Sequence, residues 1–341
     1  MTAPAFSVIL PVYDRAAMVR TALATLKAQD CGDWECLAVD DGSRDGSRAV
    51  LEAEARAEPR IRVIANETNR GMNASRNEAI ASAKGRFITF LDSDDLWLPG
   101  RLSAFLALSR RAPDAGYLFS NAWVLRDGRL LGTLFDPRRD IPEGVVPGHF
   151  AIGDAKLPYV TTNLAIAASA FREWGLFRTD MRTLDTELFA RFLSQGLPVA
   201  ALREPLSVRR LHGEQLTDRY RENFAEAMTA LESGGGTPEE KDLIRRRTAS
   251  EVGLYLAKAC RPEEARDFLI EQLGERGARE TAAWPLANLP AMALRLLKLA
   301  SRSWDWVRFH PRLLSEEERA VLAYIEPLLA AEVEPGDRHP A

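Results

Sequence analysis

Four short apolar runs recur through the first hundred residues, and each ends in acidic, amide or aromatic polar residues. Phe6-Ser-Val-Ile-Leu-Pro-Val12 is nearly continuous in apolar character, as expected of a strand buried on both faces. Trp34–Val39, Arg60–Ala65 and Arg86–Leu91 repeat the pattern. Between them, Arg15–Gln29, Asp45–Arg56 and Met72–Ala83 show helical character; in the first, Val19, Ala22, Leu23 and Leu26 share a face. This alternation predicts an α/β domain, a parallel sheet with helices on both faces. Ligands of such sheets bind at the carboxyl ends of the strands. Those ends carry Tyr13, Asp40, Asp41, Asn66, Asn69, Asp92 and Asp94, so polar groups gather where a cleft is expected.

The pattern weakens from Tyr117 to Leu216. Gly, Pro and Arg crowd the stretch from Asp127 to Gly148, which reads as loops, and Leu184–Leu193 reads as a helix. Ser233-Gly-Gly-Gly-Thr-Pro238 is the clearest linker signal. Beyond it, Glu239–Ala259 and Glu263–Glu275 are amphipathic helices, followed by an apolar stretch from Trp284 to Leu299. The expected division is a domain over residues 1–220 and a small all-α extension over 221–341, the latter without a catalytic group.

The chain has 341 residues, 46% apolar and 28% charged, enough to bury a core and stay soluble. Its net charge of −4 and lack of a basic stripe argue against nucleic acid as a partner. Cys31, Cys36 and Cys260 match no metal spacing and read as reduced thiols of a cytoplasmic protein. Met1-Thr-Ala-Pro-Ala5 lacks the segments of a signal peptide, and Thr281–Leu294 falls short of the ~20 residues of a spanning helix. Arg295, Lys298, Arg302 and Arg308 beside Trp284, Trp304 and Trp306 suit peripheral contact with a membrane surface. Self-association or plain core packing are the other uses of the C-terminal helices.

Asp92-Ser93-Asp94 is the central chemical signal. Two carboxylates one residue apart, just past a buried strand, can face one cation from a turn. Oxygen ligands suit Mg²⁺ or Mn²⁺, and Mg²⁺ commonly keeps waters and bridges to phosphates. The other reading is an Asp-rich turn opening a helix near Pro99. Placement after the fourth strand, alongside the other motifs, favours the metal.

Four motifs then occur in order: Ser7-Val-Ile-Leu-Pro-Val-Tyr13 with Asp14; Val39-Asp-Asp-Gly-Ser43; Asn69-Arg-Gly71 with Ala74-Ser-Arg-Asn77; and Phe90-Leu-Asp-Ser-Asp-Asp95. Together they resemble the inverting, family 2 type of glycosyltransferase with the GT-A fold, a Rossmann-like fold for nucleotide-diphospho-sugars, of the kind found in bacterial polysaccharide and glycan biosynthesis. The resemblance covers about residues 5–217. It implies a nucleotide-diphosphate sugar donor, most commonly a UDP-sugar, and a glycan or lipid-linked acceptor. It also implies that Pro11 and Tyr13 flank the donor base, with Tyr13 stacking on it. Asp41 would accept a hydrogen bond from the base, with Asp40 in the same region. Arg76 would approach the diphosphate or its metal, and Asp92, Ser93 and Asp94 would hold donor and metal. The residues by themselves leave other readings open: Tyr13 as core, Asp41 or Ser43 as a helix cap, and Arg76 as a solvated helix charge.

An inverting transfer needs a carboxylate to take the acceptor's proton. Gly175-Leu-Phe177, Leu184-Asp185-Thr-Glu-Leu188 and Arg191 resemble the family's segment where an acidic pair precedes a helix. Asp185 matches the base, whereas Leu184 stands where the family usually shows Glu. Glu187 is the local competitor, expected to pair with an Arg or face solvent, and a helix N-cap is the other reading of Asp185. Arg209-Arg210-Leu-His212, with Gln215 and Thr217, resembles the family's closing segment, making Arg210 and His212 candidate diphosphate contacts. Tyr159-Val-Thr-Thr-Asn163 belongs to the variable middle that should shape the acceptor pocket. Two alternatives remain: a nucleotidyltransferase acting on a sugar phosphate, disfavoured by Pro-Val-Tyr-Asp-Arg where a Gly-rich phosphate loop would stand, and a catalytically inactive nucleotide-sugar-binding module.

Overall fold

A computed structural model describes residues 3–152, 157, 160–181, 185–211, 219–290, 292–294 and 315–332. The first part alternates as the apolar runs require. Strands β1 (Phe6–Val12), β2 (Trp34–Asp40), β3 (Ile61–Ala65) and β4 (Phe87–Phe90) are separated by helices α1 (Ala16–Lys27), α2 (Ser47–Ala57) and α3 (Met72–Ser82). All seven residues of β1 are buried, and they alternate between two cores. Ile9 joins Leu37, Val39, Ile88 and Phe90 on one face. Phe6, Val8, Leu10 and Val12 join Cys36, Ala38 and Phe87 on the other. Burying each large aliphatic side chain contributes about 1.5–3 kcal/mol, so this register is strongly specified. Helix α3 covers the first face through Ala79 and Ile80. Helices α1 and α2 cover the second through Val19, Ala22, Leu23, Leu26 and Leu51.

β1 pairs in parallel with β2 as far as Val12↔Asp40, but with β4 only as far as Ile9↔Phe90. Pro11, which has no N–H to donate, thus stands where the β4 ladder has ended. The sheet runs β3-β2-β1-β4 and continues beyond β4 through strands of the later chain, so the chain reverses its direction of growth between β1 and β4. In sheets of this kind ligands bind beyond the strand ends at such a switch point.

The second part completes the sheet. It contains β5 (Leu96–Trp97), α4 (Arg101–Arg111), β6 (Tyr117–Arg126), β7 (Arg129–Thr133), β8 (Leu164–Ala167), α5 (Ala168–Trp174), α6 (Thr186–Ser194) and β9 (Val199–Leu211). The purely parallel sheet expected from the alternation holds for β1 to β4. β8 then enters antiparallel to both β4 and β6, while β9 lies parallel to β6. The expected loop after Asp127 is also partly a strand: β7 pairs antiparallel with β6. Asp127 and Gly128 both adopt positive φ, 49° and 71°, the geometry of a tight Asp-Gly hairpin turn.

Helix α7 (Tyr220–Ser233) is not set apart from the sheet, for Ala227, Ala230 and Leu231 share a core with Phe189 and Phe192 of α6. Glycines and Thr237 then turn the chain into α8 (Pro238–Lys258). Thr237 Oγ1 accepts from the Glu240 N–H at 3.2 Å, and Glu240 returns a bond to the Thr237 N–H at 2.9 Å, a capping box that begins the helix at Pro238. Together with α9 (Pro262–Arg279) it forms a small core around Phe224, Leu256, Phe268 and Leu269. A last helix, Glu316–Ala330, lays Val321 and Ile325 against Leu96, Leu98, Trp123, Leu125 and Val208 of the sheet. Among the described residues no helix is long and apolar enough to cross a membrane. Arg295, Lys298, Arg302, Trp304, Trp306 and Arg308 lie outside the described residues.

Candidate active site

The loops beyond β1, β2 and β3 are tied to one another by short polar side chains. Asp41, buried at the end of β2, uses both oxygens on the 66–71 loop. Oδ1 accepts from Asn66 Nδ2 at 3.0 Å and the Arg70 N–H at 2.9 Å, and Oδ2 accepts from the Gly71 N–H at 2.8 Å. Asp40 Oδ1 accepts from the Ser43 N–H at 3.2 Å. Neither Asp41 nor Ser43 caps α2, whose N-cap is Gly46. Ser43 Oγ instead receives the Asp14 N–H at 3.1 Å. Gly42 must be glycine twice over: its φ is +76°, and a Cβ would stand 2.7 Å from the Thr68 carbonyl carbon. Asp14, at φ 48°, is held in the left-handed region while its carboxylate accepts from the Arg44 N–H at 2.7 Å. Tyr13 is 44% exposed at the mouth of this loop cluster, which removes the core reading, whereas Pro11 is buried within β1.

Across the switch point, the chain leaves β4 into Asp92-Ser93-Asp94-Asp95. Ser93 is nearly buried and Asp95 fully so. Burial pushes the carboxyls of Asp92 and Asp95 above the usual range. Arg76 and Asp94 pull that of Asp92 in opposite directions, Asp185 adding to the rise, and Asp94 and Asp92 raise that of Asp95 further. Ionised acids in this turn are therefore costly unless a positive charge stands beside them. Asp95, the last acid of the motif, has a structural task, accepting the Arg210 N–H from β9 at 2.9 Å.

Arg76 joins the two parts of the molecule. It is fully buried on α3, which excludes a solvated helix charge. Its Nη2 donates to Asp92 Oδ1 at 2.9 Å and its Nη1 to Asp185 Oδ1. The guanidinium lies over both the Phe90 and Phe177 rings, 5.5 and 5.4 Å from their centroids. Asp185 precedes α6 but makes no side-chain cap, so the capping reading fails. Its Oδ2 accepts instead from Thr161 Oγ1 at 3.0 Å. Glu187 is nearly buried and paired with Arg191, Nε to Oε1 at 3.0 Å, as its place on the helix led us to expect.

The rest of the Ala74-Ser-Arg-Asn77 motif brackets the approach to Asp185. Asn73 Nδ2 donates to the Arg178 and Met181 carbonyls at 3.0 and 2.9 Å. Asn77 exchanges two bonds with the Phe177 backbone, at 2.8 and 3.0 Å. One face of α3 thus holds the 177–181 segment, while Arg76 reaches the acid that follows it. Sequence reasoning gave no individual role to Thr161, Asn73 or Asp95. Asp95 closes the Phe90–Asp95 motif, Asn73 adjoins Ala74–Asn77, and Thr161 lies in the Tyr159–Asn163 segment expected to shape the acceptor pocket.

Arg210, on β9, is buried. Its Nε donates to the Asp94 carbonyl, and its Nη1 donates to both oxygens of Glu332 at 2.7 and 2.8 Å. His212, Leu184, Gln215, Thr217 and Tyr159 lie outside the described residues.

Among the described residues, no group of three His, Cys, Asp or Glu side chains could hold a metal ion as a complete protein cage. Asp92 and Asp94 offer hard oxygen donors, and a cation beside them would offset the cost of ionising acids in this turn. That suits a divalent cation completing its shell with water and phosphate oxygens.

Residues 7–154 match the family model described as glycosyl transferase family 2. The chain is 36% identical over 121 residues to the putative colanic acid biosynthesis glycosyl transferase WcaA of Escherichia coli, covering 36% of this chain and 43% of that protein. To the putative glycosyltransferase EpsE of Bacillus subtilis it is 31% identical over 212 residues, 60% of this chain and 72% of that protein. It spans less than half of the first relative's length and nearly three quarters of the second's. In structure it is similar to residues 1–349 of TarS from S. aureus in complex with UDP-GlcNAc, with TM-score 0.56, 17% identity, and 89% and 92% of the two chains covered. It is likewise similar to the mannosyltransferase PcManGT of Pyrobaculum calidifontis in complex with GDP-Man and Mn²⁺, with TM-score 0.56, 18% identity, and 97% and 86% covered. At such identities the structural likeness establishes the fold, a GT-A type α/β domain with a helical C-terminal region. Taken with the match over residues 7–154 and the coverage of EpsE, it assigns this chain to glycosyl transferase family 2.

Proposed function

We propose that the chain is a metal-dependent, inverting glycosyltransferase, moving a sugar from a nucleotide-diphosphate donor, a UDP-sugar, to a hydroxyl of a glycan or lipid-linked acceptor. The observation that carries this reading is Arg76, which binds Asp92 of the acidic turn and Asp185 of the later segment at once. A donor-side acid and a candidate base, far apart in the chain, thereby face one crevice. The neighbour crystallised with UDP-GlcNAc and the one with GDP-Man and Mn²⁺ are consistent with such a donor and metal.

In this reading Tyr13 stacks on the base, and Asp40 and Asp41 shape its pocket. Asp41 does so chiefly by fixing the 66–71 loop, since three donors already occupy its oxygens. Asp92 and Asp94 would hold Mn²⁺ or Mg²⁺, which when bound supplies Lewis-acid stabilisation of the departing diphosphate. Asp185 keeps lone pairs free beyond those used by Arg76 and Thr161, because a carboxylate offers about four acceptor sites. The acceptor oxygen forms a bond to the anomeric carbon while the bond to the diphosphate oxygen breaks. The acceptor proton passes to Asp185, and configuration inverts in a single displacement. In this reading residues 1–220 are the transferase domain and 221–341 its C-terminal extension, of which the helix over Glu316–Ala330 packs on the sheet.

A thermal-shift screen of nucleotide sugars with Mn²⁺, Mg²⁺ or excess EDTA tests the reading. UDP-sugars should raise the melting temperature only when the cation is present. Equal stabilisation in chelator would refute the metal assignment, and stabilisation by no nucleotide sugar would refute the donor assignment.

A further inference from the structure

We infer that Glu332, beyond the last helix of the extension, is a positioning residue for the acidic turn, acting through Arg210. The inference rests on the reading of that turn as the donor and metal site. Three observations carry it. Arg210 is attached to the turn twice, its backbone N–H to Asp95 Oδ1 at 2.9 Å and its Nε to the Asp94 carbonyl. Its Nη1 is held by both oxygens of Glu332 at 2.7 and 2.8 Å. The pair is largely withdrawn from solvent, with side-chain exposures of 9% and 14%. Screening is weak at such a pair, and a charge-assisted contact fixes geometry as well as contributing energy.

The helix that presents Glu332 is anchored beside the same turn. Val321 and Ile325 pack on Leu96, which directly follows Asp95, on Leu98, and on Val208, two residues before Arg210. The extension therefore closes a path from the 316–330 helix to the backbone of Asp94. Without Glu332, Arg210 would keep its backbone bond to Asp95, but the guanidinium that bonds the Asp94 carbonyl would lose a two-oxygen restraint. Asp94 would then present its carboxylate over a wider range of orientations. Removing an outer partner of a metal ligand typically costs about 10–100-fold in metal affinity.

The test is calorimetric titration of UDP into the full chain in MnCl₂ at the concentration that half-saturates wild type, for wild type, Glu332→Gln and Glu332→Ala, well below each melting temperature. Gln keeps the size and one acceptor oxygen, so it remains informative if the Ala variant fails to fold. UDP affinity should fall about 10-fold in Glu332→Ala and less in Glu332→Gln, and the gap should close in excess EDTA. Unchanged affinity with a lowered melting temperature would show a merely structural contact and overturn the inference. Tighter UDP binding would overturn it in the opposite sense, showing that Glu332 competes with phosphate for Arg210. A gap that persists unchanged in EDTA would also overturn it, because the route through Asp94 requires the cation. Wild type failing to bind UDP with Mn²⁺ would instead remove the donor-site reading on which the inference stands.

Discussion

The two parts of the sheet solve the same problem by different means. In β1 to β4, each polar group at a strand end belongs to a short motif, and its partners lie on adjacent loops of the same parallel layer. Asp41, Asn66 and Gly71 span only 30 residues. In β5 to β9 the chemistry is assembled from afar. Asp185 meets Arg76 across 109 residues, and Arg210 meets Glu332 across 122. The first part is a pre-formed cradle whose geometry follows from strand register. The second is a set of side chains whose placement depends on ion pairs to the first. Arg76 is the hinge of that dependence, and the comparison predicts that damage there reaches both parts, while damage elsewhere stays local.

The largest expected effect is on turnover. Asp185→Asn keeps the size of the side chain and one acceptor oxygen but cannot take a proton, so transfer should drop by about 10²–10⁴-fold. UDP binding in Mn²⁺ should stay within about threefold, because the general-base contribution belongs to the chemical step. Transfer assays and calorimetry on one preparation check both halves of this statement. Loss of UDP binding in step with transfer would erase the distinction between the two parts.

Arg76→Ala should act on both parts at once. It leaves Asp92 and Asp185 without their buried cation, and breaking such a pair costs about 3–5 kcal/mol. Urea denaturation reads this directly. Arg76→Lys should recover only part of the loss, because one ammonium cannot span both carboxylates as the planar guanidinium does. Equal stability of Arg76→Ala and wild type would mean that the junction contributes nothing.

Thr161→Val sharpens the comparison from the acceptor side. It removes the Thr161 hydroxyl's bond to Asp185 Oδ2, and one neutral donor to a charged group is worth about 1.5–3 kcal/mol at most. Transfer should fall by about tenfold with UDP affinity unchanged. A fall in UDP affinity instead would place Thr161 with the donor cradle.

The smallest effect belongs to a carboxylate outside the crevice. Arg60 holds the Glu58 carboxyl down to about 2, chiefly by its side-chain hydrogen bonds. A depressed carboxyl contributes stability that is present above its ordinary 4.5 and is lost as pH falls through about 2. The pair is partly exposed, so Glu58→Gln should cost only about 0.5 kcal/mol at neutral pH. That cost should vanish in denaturation curves taken near pH 2. The site acids shift the opposite way: Asp92 and Asp95 are pushed up because burial and mutual repulsion outweigh their partners.

How much was legible in the sequence divides along the same line. β1, β2 and β4 announce themselves because strands buried on both faces must be continuously apolar, and helices between them must show one apolar face; β3, at the sheet edge, is apolar at Ile61, Val63 and Ile64 but exposes Arg62 and Ala65. The motifs at their ends are local, so spacing alone brings them to one edge. The hairpin β6–β7 was passed over as loop although Asp127-Gly128 carries the turn signal, because Arg and Pro nearby masked the alternation. The antiparallel entry of β8 had no local sign at all, since Leu-Ala-Ile-Ala could sit in either direction. Asp185 was found through a resemblance rather than through spacing, Thr161 only as one residue of the Tyr159–Asn163 segment, and Glu332 lay outside every motif.

The sequence by itself determined the α/β layering and which acids stand at the carboxyl ends of the first strands. Periodicity and strand-end polarity are short-range properties, and hydrophobic burial converts them into register with little ambiguity. Only the tertiary structure decided that Arg76 is buried between Asp92 and Asp185, that Asp95 secures β9, and that the segment after the 316–330 helix reaches Arg210. Those outcomes depend on burying charges in pairs, and which charge finds which is set by the packing of elements more than a hundred residues apart.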